Sequence, residues 1–590
     1  MANFHSGIDA VRCHSSSQNG SVVAPHDISV EAGLSMLEAG GNAIDAAVAA
    51  ALVAGVVEPT ETTLGGCGFL VMHDGADSWS AEFGPRAPLA AHAEMFPVQE
   101  LTDAPSPVGV VGVSATTDGS NVNGPLANGV PRTLLGLLTA QERWGRLSRT
   151  AVLKPAIASA YDGFAVDSWF LTHALSDLAR LRADPTAAQI FLAPDGLPVG
   201  SSQAAELSLA SGSRTMVRQQ LLGTTLEEAA ESPLSALVDG AIAARLVRGA
   251  SAVGGLLTAE DLAGARPDIV RLRPYRYRDA GIAMATAPHG AATVQQILSL
   301  WEILQPGGAA PTQRPDLLRQ LALAIRHSFA DRYHWLGDPQ VVPVPSQELL
   351  SADYLNELAK HCANGEDVTG WGEAPWAAFS GRAVHDPWAD QGSESGSRPE
   401  WRASSATAPT SGTTHISAAD SEGRVVAITH TAANSFGSGV VCPYTGLLFD
   451  SSMAWFNASP GAANSISPAK RPLANMAPAV VVRGNGDTFA VGASGGRRII
   501  SSVAQVIIAL VDGGCDAVEA LQLPRIDASG PTVQLAPQLA QHIDAVADLG
   551  ASCVPVSAEP FQMDFARPNV ARRAPDGATL SAIPAAAHSA

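Results

Sequence analysis

Thr413-Thr414-His415-Ile416-Ser417-Ala418-Ala419-Asp420, then Ser421-Glu422-Gly423, then Arg424-Val425-Val426-Ala427-Ile428-Thr429-His430-Thr431, is the stretch that decides the fold. Two β-prone runs joined by a three-residue loop ending in glycine predict a hairpin, with Gly423 in the left-handed conformation. If Asp420 closes against Arg424, counting outward places Thr413 directly opposite Thr431. Opposed residues hold their Cβ atoms roughly 5 Å apart, so the two hydroxyls can share a hydrogen bond. A hydroxyl is a weak nucleophile until a base or an oriented donor activates it, and this register supplies one helper. Threonine-rich hairpins are ordinary, because Thr favours strands, so the pair gains meaning only from its surroundings. His415 and Ser417 share the face of Thr413 by alternation and are expected to pack around it rather than react.

Immediately upstream, Trp371 to Gly412 is rich in Ser, Gly, Pro and Ala. It reads as a flexible linker over about 372–412. Farther upstream the pattern predicts two helices between residues 29 and 57. Ser29 is expected to cap the first and Gly40–Gly41 to end it. The second, Ala43 to Val56, is apolar all round apart from Asp45 and should be buried. A Gly-rich strand over Leu64–Met72 follows and turns at Asp74–Gly75. Residues 130–360 read as mostly helical, and the chain from about Arg573 reads as a disordered tail. An ordered half, a loose linker and a β-rich half thus follow one another.

Composition narrows the function classes. The 590 residues are 46% hydrophobic and 16% charged, a globular balance. The net charge of −20, with no basic stripe, argues against nucleic acid as a partner. The most apolar stretch, Ala43 to Val57, is too short to span a bilayer, so no membrane partner is expected. Met1 to Pro25 carries no apolar signal-peptide core, which gives the expectation of a cytoplasmic protein. The six cysteines are scattered without a CxxC pair or a nearby His at ligand spacing, so no metal and no cofactor is expected. Basic residues are almost all arginine, with lysine only at 154, 360 and 470, which fits a GC-rich genome such as an actinomycete's.

The context of the hairpin resembles a known family. Thr413-Thr414-His415-x-Ser417 after a linker, followed by Asn434-x-Phe436-Gly437-Ser438-Gly439, resembles the start of the small subunit of the γ-glutamyltransferases. Gly40-Gly41-Asn42-Ala43-Ile44-Asp45, Val57-Glu58-Pro59 and Gly65-Gly66-Cys67-Gly68-Phe69 resemble their large-subunit signature. Gly255-Leu256-Leu257-Thr258-x-Glu260-Asp261-Leu262, Phe329-Ala330-Asp331-Arg332, Gly337-Asp338-Pro339, Lys470-Arg471-Pro472-Leu473 and Ser494-Gly495-Gly496 also fit, in order, from about residue 25 to 530. The resemblance implies an α+β N-terminal-nucleophile (Ntn) hydrolase. Its four-layer α-β-β-α sandwich would be formed jointly by a large segment, 1–412, and a small segment, 413–590. It further implies self-cleavage between Gly412 and Thr413, leaving the two fragments as an intimate heterodimer. Thr413 would be the nucleophile, with its freed α-amine as base. Thr431 would orient it, and the amides of Gly495 and Gly496 would form the oxyanion hole. A free α-amine, with a pKa of about 7.7–8.0, suits base catalysis near neutrality.

The substrate pocket departs from the family pattern. Gly84 stands where an Arg usually precedes the Ala-Pro seen here as Ala87–Pro88, and Arg86, two residues on, could partly compensate. The usual Asn after the second threonine is Ala433, with Asn434 shifted by one. Ser452 and Trp455 replace polar and acidic residues around Met453, and Ala474–Asn475 replace a Ser-Ser pair. Arg86, Asn434, Ser452, Trp455 and Asn475 are therefore the candidate substrate contacts. Each lost partner of a charged hydrogen bond costs about 1.5–3 kcal/mol, so a glutamyl group should bind poorly. The expectation is a hydrolase acting on a non-glutamyl small molecule. The leading reading is amide or C–C hydrolysis that removes an oxalyl-type unit in 4-alkyl-proline (antibiotic) biosynthesis. The alternatives are a true γ-glutamyltransferase or glutathione hydrolase, an enzyme like the cephalosporin acylases or oxamate amidohydrolases, and a non-catalytic scaffold.

Overall fold

A computed structural model describes residues 11–14, 19–98, 116–201, 215–286, 288–309, 314–367, 412–530, 533–549, 552–553 and 565–584. The expected linker, up to residue 411, lies outside them. The hairpin forms over Thr414–Asp420 and Val425–Thr431 in the anticipated register, with Thr414 opposite His430 and His415 opposite Thr429. Asp420 sets that register. Its Oδ1 accepts the amides of Glu422 (3.0 Å) and Arg424 (2.9 Å), and Gly423 takes φ +117°. The other carboxylate oxygen accepts the Ala43 amide at 3.0 Å, which ties the loop to the first turn of a helix.

The hairpin lies inside a six-stranded antiparallel sheet. The order is Gly20–Val23, Thr414–Asp420, Val425–Thr431, Cys67–His73, Ser78–Phe83 and Asp268–Leu272. The second sheet runs Val11–His14, Thr579–Pro584, Arg567–Arg573, Thr488–Ser494, Ala479–Val482, Ala280–Met284 and Tyr275–Tyr277. Both sheets therefore draw strands from before and after residue 412.

Alternation along the strands sorts the layers. Ala419, Val425 and Ala427 join Phe69 and Val71 against Val480, Ala490 and Ala571 of the facing sheet. Ile416, Ala418, Val426 and Ile428 point the other way, into the core around the helix Ala43–Val57. All fifteen residues of that helix are buried. Its one charge, Asp45, is satisfied by the amides of Asn42 (3.0 Å) and Arg146 (2.8 Å) and by Gln141 Nε2 (3.1 Å). On the far side, Arg498–Val511 packs with Val481, Phe489, Val491 and Val570. Helix, sheet, sheet and helix follow in that order.

Two expectations need correction. The first helix spans Asp27–Glu38, and its cap is His26, whose Nδ1 accepts the Ile28 amide, whereas Ser29 is buried inside the helix. Residues 130–360 are mostly helical, as expected, and include three strands, Asp268–Leu272, Tyr275–Tyr277 and Ala280–Met284, that complete the two large sheets. The chain beyond Arg573 is no tail up to residue 584, because Thr579–Pro584 pairs with Arg567–Arg573 on one side and Val11–His14 on the other.

Candidate active site

Thr413 sits just before the first residue of its strand, still joined to Gly412, and is 3% exposed. Its Oγ1 donates to the carbonyl oxygen of Gly412 at 2.7 Å and lies 3.3 Å from Thr431 Oγ1. Thr431 Oγ1 donates to the same carbonyl oxygen and accepts the Ala433 amide at 2.7 Å. Ala433 holds φ +72°, a left-handed turn that aims its N–H at the strand end. Gly412 is wedged against backbone: a Cβ there would lie 2.7 Å from Thr60 O and 2.9 Å from Glu61 O. Only glycine lets that peptide approach so closely. The Thr413 amide donates to Glu61 Oε2 at 2.9 Å, and the other oxygen of Glu61 receives Arg567 Nη2 at 3.2 Å.

The neighbouring polar groups are hydrogen-bonded, with Glu58 Oε1 and His430 Nε2 left without a partner among the described residues. Asn569 Nδ2 donates to His415 O at 2.7 Å, so its Oδ1 must accept from Ser417 Oγ at 2.8 Å. Ser417 is then left to accept from His415 Nε2 (3.0 Å), and Thr429 Oγ1 donates to Nδ1 (2.8 Å). Burial holds the His415 imidazole at about 3, so it stays neutral, and Gly492 of the facing sheet leaves room for its ring. His415 and Ser417 are thus inter-sheet packing groups, as expected. On the opposite face of the hairpin, Thr414 Oγ1 donates to Glu58 Oε2, and His430 Nδ1 meets Thr62 Oγ1 at 2.7 Å. Burial raises the Glu58 carboxyl to about 8, and the Thr414 hydrogen bond opposes that shift.

Gly495 and Gly496 follow the strand Thr488–Ser494 with φ +131° and +61°, just before the helix Arg498–Val511. Ser494 pairs in register with Arg567, the residue that reaches Glu61, so the glycine turn adjoins the group that holds Thr413. Consecutive amides at a helix start suit an anionic oxygen.

The candidate substrate residues part company. Arg86 Nη1 is held by Gly264 O at 2.9 Å. Gly84 cannot carry a side chain without moving Phe69, whose Cζ would lie 2.4 Å from a Cβ. Trp455 is buried in one apolar cluster with Ala433, Ala474, Met476, Cys67 and Phe69. Asn434 Nδ2 donates to Ser451 Oγ (2.8 Å), Ser452 Oγ to Asp450 Oδ1 (3.1 Å), and Asn475 Oδ1 accepts from Arg332 (3.0 Å). Cys67 is a small buried residue, as anticipated. Three of the substituted positions, Ala433, Trp455 and Ala474, therefore share apolar packing. Among the described residues no His/Cys/Asp/Glu cluster has a metal-binding arrangement.

Sequence reading missed Glu58, Glu61, Arg567 and Asn569. Two acids in the short segment Glu58-Pro59-Thr60-Glu61 directly after a buried helix were a usable signal, since a buried carboxylate demands a partner. Arg567 and Asn569 gave none, lying beyond the last recognised motif.

Residues 29–577 match the family model described as Gamma-glutamyltranspeptidase. The glutathione hydrolase proenzyme of Bacillus subtilis (strain 168) is 31% identical over 514 residues, covering 86% of this chain and 80% of the relative. The acylase ACY 1 proenzyme of Pseudomonas sp. (strain SE83) is 32% identical over 533 residues, covering 88% and 84%. The crystal structure of cephalosporin acylase from Bacillus halodurans superposes with a TM-score of 0.75 at 22% identity, covering 97% of this chain and 94% of that one. The chain belongs to the γ-glutamyltranspeptidase family and is an Ntn hydrolase/acyltransferase.

Proposed function

We propose that the chain is a proenzyme that cuts itself between Gly412 and Thr413 and then hydrolyses a non-glutamyl substrate through an acyl-enzyme on Thr413. The observation that carries this reading is the convergence of the Thr413 and Thr431 hydroxyls on the carbonyl oxygen of Gly412. In maturation, Thr413 Oγ adds to the Gly412 carbonyl carbon while Thr431 stabilises the oxygen. The C–N bond breaks, and the hydroxyl proton ends on the departing nitrogen. Water then cleaves the ester, leaving a Gly412 carboxylate, a free Thr413 and two fragments that share both sheets.

In turnover the freed α-amine takes the proton of its own Oγ as that oxygen attacks the substrate carbonyl. The amides of Gly495 and Gly496 meet the oxyanion, the leaving group departs with the proton, and water regenerates Thr413. Arg86, Asn434, Ser452, Trp455 and Asn475 are proposed to bound the substrate pocket. Apolar filling at Ala433, Trp455 and Ala474, and the Phe69 ring against Gly84, support an acyl group without the charged ends of glutamate. Amide hydrolysis, or C–C hydrolysis releasing an oxalyl-type unit in 4-alkyl-proline (antibiotic) biosynthesis in the cytoplasm, is the substrate setting we favour.

The test combines intact-mass analysis of purified protein with a screen of acyl and oxalyl substrates beside a γ-glutamyl-anilide. Two fragments meeting at 412/413, with little aniline release, are expected. Brisk release would instead favour a glutathione hydrolase, as the Bacillus subtilis relative is named. An uncut chain that resists acylation would leave a scaffold.

A further inference from the structure

Resting on that maturation reading, we infer that Glu61, pinned by Arg567, is a catalytic residue for the cleavage and the counter-ion of the α-amine it produces. Glu61 is 4% exposed, so its carboxylate is held in place chiefly by what it touches. One oxygen takes the amide N–H of Thr413 at 2.9 Å, and the other takes Arg567 Nη2 at 3.2 Å. The Arg567 guanidinium lies over the Trp169 ring, 5.0 Å from its centroid, and Trp169 Nε1 donates to Thr60 Oγ1 at 3.2 Å. The Glu61 backbone carbonyl accepts the Ala432 amide at 3.2 Å, just past Thr431. The segment bearing the carboxylate is therefore fixed to both ends of the site.

The nitrogen that Glu61 holds changes character during the reaction. As an amide it carries no charge. As the C–N bond breaks it takes up the hydroxyl proton, and the amine it becomes can be protonated to ammonium. A carboxylate already in place stabilises positive charge as it develops, with no rearrangement. Glu61 also lines a cleft together with Glu58, Thr60, Asp167, Trp169 and Phe170.

In the matured enzyme the same contact has a second consequence. A neighbouring carboxylate favours the charged amine, and a neighbouring guanidinium disfavours it. The charged groups at the amine are Glu61, which holds its nitrogen, and Arg567 as the opposing cation. Glu58, Asp167 and His26 line the adjoining cleft, where burial keeps Glu58 protonated below about 8 and lowers the His26 pKa. His415 and His430 in the hairpin are held neutral by burial. Only the uncharged amine accepts a proton, so Glu61 and Arg567 set, with opposite signs, the pH at which activity appears.

The experiment compares wild type, Glu61→Gln and Arg567→Gln. Intact mass follows cleavage over time, and pH–rate profiles are measured on the matured fraction of each. Glu61→Gln should cut at least about tenfold more slowly and move the acidic limb down by about one pH unit. Arg567→Gln should cut more slowly by a smaller factor and move the limb up. Should Glu61→Gln not mature, the upward shift in Arg567→Gln decides. Wild-type protein that stays uncut overturns the maturation reading itself. Wild type that cuts, with both variants keeping its rate and profile, overturns the role of Glu61 alone. Slower cutting without opposite limb shifts reduces the pair to packing and overturns it equally.

Discussion

Thr431 Oγ1 donates to the carbonyl oxygen of Gly412 while accepting the backbone N–H of Ala433 at 2.7 Å. The Ala433 amide fixes the direction of the hydroxyl, so its proton has one useful acceptor. Thr431→Val keeps the shape and removes that donor. Loss of one such donor typically costs about 10²–10³-fold in rate. Cleavage at 412/413, followed by intact mass, should slow by about that factor, and Thr431→Ser should retain most of it. Wild-type kinetics in the valine variant would remove Thr431 from the mechanism.

Gly412 offers a separate steric test. A Cβ there meets two backbone oxygens, Thr60 O at 2.7 Å and Glu61 O at 2.9 Å, and neither can swing aside like a side chain. Gly412→Ala should shift the scissile carbonyl away from both hydroxyls and slow cleavage severely. Overpacking of this kind costs about 1–3 kcal/mol, so thermal stability of the precursor should also fall. A variant that matures normally would show that the peptide has room to adjust.

The hairpin was legible because its register follows from one loop, and the loop from Asp420 and Gly423. The burial of Ala43–Val57 was legible because an all-apolar helix has no face to give to water. The cap at His26 was not, since Ser29 is the commoner capping type and only the backbone shows which residue precedes the first turn. The strand Thr579–Pro584 is short and follows a turn, so it carries little periodicity of its own, and pairing on both sides makes it a strand. In the site, Thr413 and Thr431 could be read from alternation. Glu61 and Arg567 could not be paired, because their contact is tertiary and joins segments at opposite ends of the chain.

Glu58 gives the stability a pH signature. Its folded carboxyl titrates at about 8, against 4.5 for the unfolded group, so the folded chain binds the extra proton between those values. The stabilisation from this group is complete below 4.5 and is lost as pH rises through about 8. Glu58→Gln mimics the neutral acid and can still accept from Thr414. The melting temperature of Glu58→Gln relative to wild type should therefore rise steadily from pH 5 to pH 8.5. The gain at the upper end is on the order of a few kcal/mol. A difference independent of pH would show that Glu58 is ionised in the fold.

Gly84 and Phe69 decide whether the glutamate clamp can be rebuilt by one substitution. Phe69 is 4% exposed and packs against His289 with centroids 4.7 Å apart and the rings tilted by 52°. Its Cζ occupies the space 2.4 Å from where a Gly84 Cβ would stand. Gly84→Arg alone should therefore destabilise the protein, by about 1–3 kcal/mol for overpacking, without gaining γ-glutamyl-anilide hydrolysis. Pairing it with Phe69→Leu clears the ring and should recover much of the lost stability, a non-additive result in a double-mutant cycle. Strictly additive melting shifts would mean that the two positions do not compete for the same space. Brisk anilide hydrolysis by Gly84→Arg alone would mean that the other pocket substitutions do not exclude glutamate.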